Sequence, residues 1–132
     1  MKRLLAFLLA CLPLAALAQR QYIDVGSPDF RPLALAVAPF QASPDARGEA
    51  SEVFETLRDD LALTPVFELL DPRSFLADPN EGFAASGIRF QRWADVGAEG
   101  LVKATIRHEG PLLSGELHVY EVRAGREVLY RI

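Results

Sequence analysis

Residues 33–40 read Leu-Ala-Leu-Ala-Val-Ala-Pro-Phe and form the longest uncharged apolar stretch of the chain outside its N-terminus. Alternate residues of a strand face opposite sides, so one face of this segment carries large side chains and the other carries only methyl groups. This pattern predicts a central strand buried on both faces, with a helix close to the alanine side. A short buried helix is the alternative, but Pro32 and Pro39 leave little room for one.

An amphipathic helix is predicted after this strand. Val53, Leu57 and Leu61 recur at every fourth position, which places them on one face of a helix, and Phe54 and Ala50 widen this apolar stripe. Ser43, followed by a proline, is a candidate N-cap, and a start nearer Gly48 is the alternative. Because proline disfavours helical geometry in the residue before it, the Thr-Pro pair at 64–65 ends the helix.

A second strand follows directly, at Val66 to Leu70. Strand, helix and strand in this order form a βαβ unit, in which the two strands are parallel and the crossover is right-handed. Asp71 then precedes a proline, which is typical of a cap on a short helical turn. The stretch from Ala77 to Gly87 is rich in Pro, Asn, Gly and small residues and is predicted to be an exposed loop.

The rest of the chain predicts a second helix and an antiparallel meander. Ile88 to Val96 has one-sided apolar spacing, with Trp93 as the anchor on the sheet and Gly97 as the stop. Three strands separated by glycine-containing turns follow, at Gly100 to His108, Ser114 to Val122 and Glu127 to Ile132. The sequence therefore predicts an α/β domain over residues 32–132: a mixed β-sheet with a βαβ unit and an antiparallel hairpin, and helices packed on the sheet.

The N-terminus has the pattern of a secretory signal peptide. Lys2 and Arg3 precede a mostly apolar segment, and Ala-Leu-Ala at 16–18 is typical of a cleavage site between Ala18 and Gln19. We therefore expect residues 1–18 to be removed on export. The string Leu-Leu-Ala-Cys ending at Cys11 resembles a lipoprotein processing box and is the alternative.

Residues 19–31 are predicted to be an N-terminal arm. The arm is polar and broken by Gly26 and Pro28, yet Tyr-Ile-Asp-Val at 22–25 is capable of forming a strand. A segment this short at a mature N-terminus is poorly fixed unless it pairs with something.

Composition excludes several classes of function. The formal net charge is −4, with 14 basic and 18 acidic residues and no basic stripe of the kind that nucleic-acid binding needs. The single cysteine, Cys11, lies in the predicted signal peptide, so the mature chain has no disulfide and no cysteine-based metal site.

The two histidines are the candidates for metal binding or general-base chemistry. His108 and His118 lie on the two strands of the predicted hairpin, and Glu109 and Glu116 are the carboxylates closest to them in sequence. A zinc site needs about four ligands in tight geometry, whereas surface histidines on a polar sheet face are ordinary. The chain carries no nucleophile elbow or phosphate-binding glycine loop. We predict no catalytic residue, no metal site and no cofactor.

Several local strings, in their order and spacing, resemble the amino-terminal domain of the TolB family. They are Ile23-Asp24-Val25-Gly26, Arg31-Pro32 leading to Pro39-Phe40, Leu57-Arg58-Asp59-Asp60-Leu61 before Phe67-Glu68-Leu69-Leu70-Asp71, and Trp93-x-x-x-Gly97-Ala98. The resemblance runs from about Tyr22 to Ile132. It implies a fold similar to anticodon-binding domains and a non-enzymatic, periplasmic adaptor of the Tol-Pal system, which serves outer-membrane integrity, cell division and the import of proteins and bacteriocins.

The resemblance also implies partners. In this family the mature N-terminal arm is recognised by the inner-membrane protein TolA, and the lipoprotein Pal binds a C-terminal β-propeller. Carried over by position, the arm spans Gln19 to Gly26. The residues expected to bind a TolA-like partner are Gln21, Tyr22, Ile23, Asp24, Val25 and Gly26.

Two departures from the family pattern bear on these expectations. The propeller is absent from the 132 residues, so a Pal-like contact is expected only through sequence beyond them, and the arm begins Gln-Arg-Gln instead of with a more apolar, acidic start. A fragment of a longer reading frame is the favoured interpretation, and a domain used alone is the alternative. The competing function is a stand-alone periplasmic binding module or an accessory lipoprotein of another envelope complex.

Overall fold

The computed structural model of the chain describes residues 26–132. The predicted signal peptide, the cleavage site and the arm up to Val25 lie outside the described residues. The elements follow in the order β1 (Leu33–Val37), β2 (Gln41–Ala42), α1 (Arg47–Ala62), β3 (Phe67–Leu69), α2 (Phe90–Asp95), β4 (Gly100–Glu109), β5 (Leu112–Glu121) and β6 (Arg126–Arg131), with short 3₁₀ turns at Pro72–Ser74 and Ala85–Gly87. Among the described residues, no helix is long and apolar enough to cross a membrane.

The strands form a mixed six-stranded sheet in the order β3-β1-β4-β5-β6, and β2 pairs with β4. β1 is parallel to β3 and β4, while β4, β5 and β6 form an antiparallel meander. The predicted βαβ unit and hairpin are confirmed. β1 is an interior strand, but β4 holds the middle position, with β1 and β3 on one side and β5 and β6 on the other.

The first strand is buried on both faces, as its alternation predicts. Leu35 and Val37 point to the side covered by α1, which we call the helix face. Ala36 and Ala38 point to the opposite side, which we call the loop face, and pack near α2 and the chain that precedes it. All four side chains are buried. The methyl-lined side of β1 thus allows a close layer that includes Trp93.

The helix α1 differs from its prediction at two points. It begins at Arg47 after Ala46 and has no side-chain cap, so the predicted Ser43 cap is wrong and the start near Gly48 is closer. Ser43 instead donates its backbone N–H to the carbonyl of Ile106, 3.1 Å away, which continues the pairing of β2 with β4. Val53, predicted in the apolar stripe, is 40% exposed. The packed stripe consists of Phe54, Leu57 and Leu61 together with the buried Ala50.

The segment from Ala77 to Gly87 is not simply an exposed loop. Glu81 is buried, and Phe83 is half-buried and accepts a hydrogen bond from the Tyr120 hydroxyl. The prediction missed this because an irregular segment has no hydrophobic period, and its polar residues look solvated when their partners lie far away in sequence. This segment covers part of the loop face.

The second helix and its end agree with the sequence. Trp93 in α2 is 3% exposed and anchors the helix on the sheet. Gly97 has φ +86°, a conformation that suits glycine at a helix end, and its N–H donates to the carbonyl of Ala94 at 2.9 Å. The predicted Asp71 cap is also confirmed, since its side chain accepts from the N–H of Arg73.

Candidate functional site

The predicted partner-binding arm joins the domain through a short turn. Of the six arm residues expected to bind a partner, only Gly26 is among the described residues, whereas Gln21 to Val25 lie outside them. After Gly26, the N–H of Phe30 donates to the carbonyl of Ser27 at 3.0 Å, and the N–H of Asp29 donates to the Ser27 hydroxyl at 3.3 Å. The arm therefore enters the fold through a defined turn.

Glu99 fixes the point at which this segment meets the sheet. One carboxylate oxygen accepts from Arg31 Nη2 at 2.6 Å, and the other accepts from the N–H of Ala34 at 3.2 Å. The backbone of Glu99 also links β1 to the residue that follows β5, donating to the carbonyl of Ala34 and accepting from the N–H of Val122. The Ala34 hydrogen bond, followed by the bond from Arg31, lowers the pKa of Glu99. The carboxylate thus stays ionised where the arm attaches.

A broad cleft of about 730 Å³ opens beside this junction. Arg31, Glu99, Glu121 and Arg123 give it charges of both signs, and Phe90 contributes an apolar wall. The ion pairs in and beside the cleft are exposed to solvent, which limits their strength. The cleft is an accessible surface next to the root of the arm.

A buried polar cluster lies on the loop face. Lys103 Nζ donates to Glu81 Oε2 at 3.1 Å and to the Glu81 carbonyl at 2.8 Å, and both side chains are only 5% exposed. Trp93 Nε1 donates to Glu81 Oε2 at 3.1 Å, and the N–H of Arg89 donates to Oε1 at 2.8 Å. Glu81 therefore ties β4, α2 and its own loop together.

The two charged groups differ in how far their hydrogen bonds offset the effect of burial on the pKa. Burial raises the pKa of Glu81, but the hydrogen bonds from Arg89, Trp93 and Lys103 outweigh it, so that pKa lies below its ordinary value. Burial also lowers the pKa of Lys103, because its hydrogen bond with Glu81 offsets the loss of water only in part. The pair is held as carboxylate and ammonium inside the fold.

The structure separates the two histidines. His118 lies opposite Lys103 on the loop face, and its Nδ1 is 2.5 Å from Glu127 Oε1. His108 Nε2 lies 3.4 Å from Glu49 Oε1 of α1, on the helix face. Glu109 and Glu116, the other predicted candidates, both bind Arg107, at 3.0 and 2.9 Å. Within residues 26–132, no group of three His, Cys, Asp or Glu side chains is placed to hold a metal ion.

His118 corrects one expectation of the sequence. It is 9% exposed instead of lying on a polar surface, because Phe83, Tyr120 and Tyr130 surround its ring. Its Nε2 is buried without a hydrogen-bond partner among the described residues, and the nearest carboxylate oxygen on that side, Glu116 Oε2, is 3.8 Å away.

Comparison with known proteins places the chain in a family. Residues 21–128 match the model of the TolB amino-terminal domain. The chain belongs to this family. The match begins at Gln21, so it includes all six residues of the predicted partner-binding arm as well as the junction at Glu99.

Family relatives are similar over nearly the whole chain. The Tol-Pal system protein TolB of Anaeromyxobacter dehalogenans (strain 2CP-1) is 58% identical over 129 residues, which are 98% of this chain and 30% of that protein. The Tol-Pal system protein TolB of Myxococcus xanthus (strain DK1622) is 43% identical over 130 residues, with the same coverage of 98% and 30%. The chain thus spans about 30% of the length of these TolB relatives.

Two solved structures show that the fold is shared beyond close relatives. TolB from Acinetobacter baumannii aligns with a TM-score of 0.59 at 15% identity, over 77% of this chain and 23% of that one. The LpoB C-terminal domain from Escherichia coli aligns with a TM-score of 0.59 at 18% identity, over 75% of this chain and 78% of that one. At these identities the likeness concerns the fold alone.

Sequence reasoning missed the buried cluster and the junction. Glu81, Lys103 and Glu99 are charged residues, which the hydrophobic pattern assigns to the surface. For Lys103 a signal was present, because it stands among the apolar residues Leu101, Val102 and Ala104. A lysine at that position of an interior strand needs an acidic partner, but nothing in the sequence identifies Glu81 as that partner.

Proposed function

We propose that the chain is a non-enzymatic, periplasmic adaptor component of the Tol-Pal system that binds a partner protein through its N-terminal arm. Membership of the TolB amino-terminal domain family carries this proposal, together with relatives named as Tol-Pal system proteins at 58% and 43% identity. The adaptor role concerns outer-membrane integrity, cell division and import of proteins or bacteriocins, as the family resemblance implies.

The arm is the proposed binding element because its chemistry suits recognition by main-chain pairing. Tyr22, Ile23 and Val25 have side chains that favour strands, so this segment can add to the edge of a partner's sheet. The described junction supports the proposal, since Arg31 and Glu99 hold the root of the arm at the surface of the domain. The proposed partner is a TolA-like inner-membrane protein, and the contacts are assigned to Gln21 to Gly26.

A Pal-like lipoprotein is proposed as a second partner of the longer family members. Because the chain spans about 30% of their length, we assign that contact to a propeller outside these 132 residues. Residues 32–132 would then serve as the domain that joins the arm to the propeller.

Deleting Gln19 to Val25 tests the arm. We expect binding to the C-terminal domain of a TolA protein, measured by isothermal titration calorimetry, to disappear while the melting temperature is unchanged, because the fold from Leu33 onward keeps its contacts. A variant with Tyr22, Ile23 and Val25 replaced by serine preserves the length of the arm and should also lose binding. Unimpaired binding by either variant would overturn the assignment of the partner site to the arm.

The proposed processing has its own measurement. Mass spectrometry of the exported chain should find an N-terminus at Gln19, as expected for a signal peptide cleaved after Ala18. A lipid on Cys11 would instead support the alternative, an accessory lipoprotein of another envelope complex.

A further inference from the structure

A small cavity lies outside the carboxyl ends of two parallel strands. It has a volume of about 140 Å³ and is bounded by Ala38 and Pro39, which follow β1, and by Pro72 and Phe75, which follow β3. This cavity is separate from the cleft beside Arg31, which lies at the opposite end of β1. Neither the arm nor the proposed adaptor role uses it.

The position is one where α/β proteins bind ligands. From β1 the chain crosses the helix face through α1, whereas from β3 it crosses the loop face through residues 70–99. The two connections therefore leave neighbouring strands toward opposite faces of the sheet. In open α/β sheets a crevice forms outside the carboxyl ends of the strands at such a point, and ligands bind there.

The walls of the cavity are mostly apolar and aromatic, and its polar lining residues are Gln41, Asp78 and Lys103. Trp93 is buried at its base, with the Phe75 ring packed edge-on at 5.0 Å between centroids. Phe83 and Ala77 contribute further half-buried walls, and Pro79 lies exposed at the opening. An engineered cavity of about 150 Å³ binds benzene, so a space of about 140 Å³ has the size for one side chain such as leucine or phenylalanine.

One polar group at the cavity has spare hydrogen-bonding capacity. Lys103 lines the cavity, and an ammonium has three N–H donors. Two of them donate to Glu81, the ammonium also lies 5.6 Å from the centroid of the Phe83 ring, and no third hydrogen-bond acceptor contacts it within residues 26–132. The carboxylates of Glu81 and Asp78 exceed the single charge of Lys103, so the site disfavours a further anion. A neutral carbonyl is the acceptor that fits.

We propose that this cavity binds one apolar side chain of a partner polypeptide, whose adjacent main-chain carbonyl accepts a hydrogen bond from Lys103 Nζ. A peptide is the occupant because it combines an apolar group of this size with an uncharged carbonyl. The proposal does not depend on the arm, and its failure would leave the proposed adaptor function untouched.

Trp93 provides the readout, since it is the single tryptophan of the chain. The probes are N-acetyl-leucinamide, N-acetyl-glycinamide, which lacks the side chain, and free leucine, which carries a carboxylate. Titration is followed by Trp93 fluorescence and by the NMR signals of Trp93 Nε1–H and the Lys103 amide. We expect a saturable change with N-acetyl-leucinamide, and affinities at least about tenfold weaker for the other two probes.

Ala77→Leu fills the cavity from its half-buried wall, and Ala124→Leu is the matched control at an exposed position of the other cleft. Ala77→Leu should weaken N-acetyl-leucinamide binding about tenfold or more, and Ala124→Leu should leave it unchanged. Circular dichroism verifies that both variants fold; if Ala77→Leu does not, Ala38→Val serves as the filling variant. The proposal is overturned by the absence of saturable binding, by equal binding of N-acetyl-glycinamide, by preferred binding of free leucine, or by binding that the filling variant leaves intact.

Discussion

The two faces of the sheet are covered in different ways. On the helix face, α1 lays Phe54, Leu57 and Leu61 against β1 and β4 in an apolar layer. On the loop face, an irregular segment and the short α2 cover the sheet around Trp93, and a carboxylate and an ammonium are buried with them. One face thus relies on a regular side-chain period and the other on specific polar partners.

This difference predicts which face of the sheet tolerates substitution better. Loss of one apolar side chain in a regular layer leaves a cavity that neighbours reduce by relaxing. Loss of one member of a buried charged pair leaves the other without compensation in a medium of low polarity. We therefore expect the loop face to be the less tolerant of the two.

Lys103→Met should produce the largest effect. It leaves the Glu81 carboxylate buried without its cation, and we expect the free energy of unfolding to fall by about 3–5 kcal/mol in urea denaturation. Phe54→Ala on the helix face is the matched comparison. A larger loss of unfolding free energy for Phe54→Ala than for Lys103→Met would contradict the expected difference between the faces.

A double variant tests whether the unpaired Glu81 carboxylate causes the loss of stability in Lys103→Met. Adding Glu81→Gln to Lys103→Met removes the unpaired charge but keeps an acceptor for Trp93 Nε1, so part of the lost stability should return. If the two losses simply add, the pair does not act as a unit.

Ala36→Leu tests the close layer on the loop face. Ala36 is fully buried, so added bulk must displace the strand or its neighbours, and we expect a loss of about 1–3 kcal/mol. Ala84→Leu, at an exposed position of the covering segment, is the control and should stay within about 0.5 kcal/mol. A neutral Ala36→Leu would show that the layer is loosely packed.

Low pH should lower the free energy of unfolding through protonation of Glu81. The unfolded chain protonates this carboxyl near its ordinary pKa of 4.5, whereas the folded chain keeps it ionised to lower pH. The unfolded state then binds more protons, and the free energy of unfolding falls as the pH drops from about 4.5 through the folded pKa. Comparing Glu81→Gln with the unchanged chain across this range isolates the effect from the other carboxylates. Parallel pH curves for the two proteins would contradict it.

Arg31→Ala should have the smallest effect. The Arg31 side chain is 73% exposed, and exposed ion pairs contribute about 0–1 kcal/mol, so the melting temperature should change little. Glu99→Ala is the companion variant and should cost more, because it also removes the oxygen that accepts from the N–H of Ala34. Equal effects from both would show that the backbone contact adds nothing.

Sequence reasoning succeeded where periodicity decides the structure. The alternation at 33–37, the helix before Pro65, the hairpin and the glycine after α2 are all local patterns, and the structure confirms each of them. The covering role of 77–87 and the Glu81 partner of Lys103 escaped because they depend on contacts between distant residues. The predicted Ser43 cap is wrong because serine, a common capping residue, is also acceptable at the end of a short strand.

For the candidate site, the sequence predicts an arm but not how the arm is attached to the domain. Residue types at 22–25 indicate a strand-forming peptide whether or not the domain is known. The link from Arg31 to Glu99 spans 68 positions, and both residues are of types that are common on any surface. Only the register of β1 against β4 brings them together.

Because β1 pairs in parallel with β4, one of its edges stays unpaired while the chain is being synthesised. Leu35 pairs with Gly100 and Ala36 with Leu101, so β1 is made long before the strand that covers one of its edges. The meander of β4 to β6 closes short loops and should form quickly once synthesised, whereas β1 must wait for it. During that interval a strand without charges is open to intermolecular pairing. We therefore expect aggregation of partly made chains to begin at Leu33–Val37, the segment that becomes an interior strand of the folded sheet.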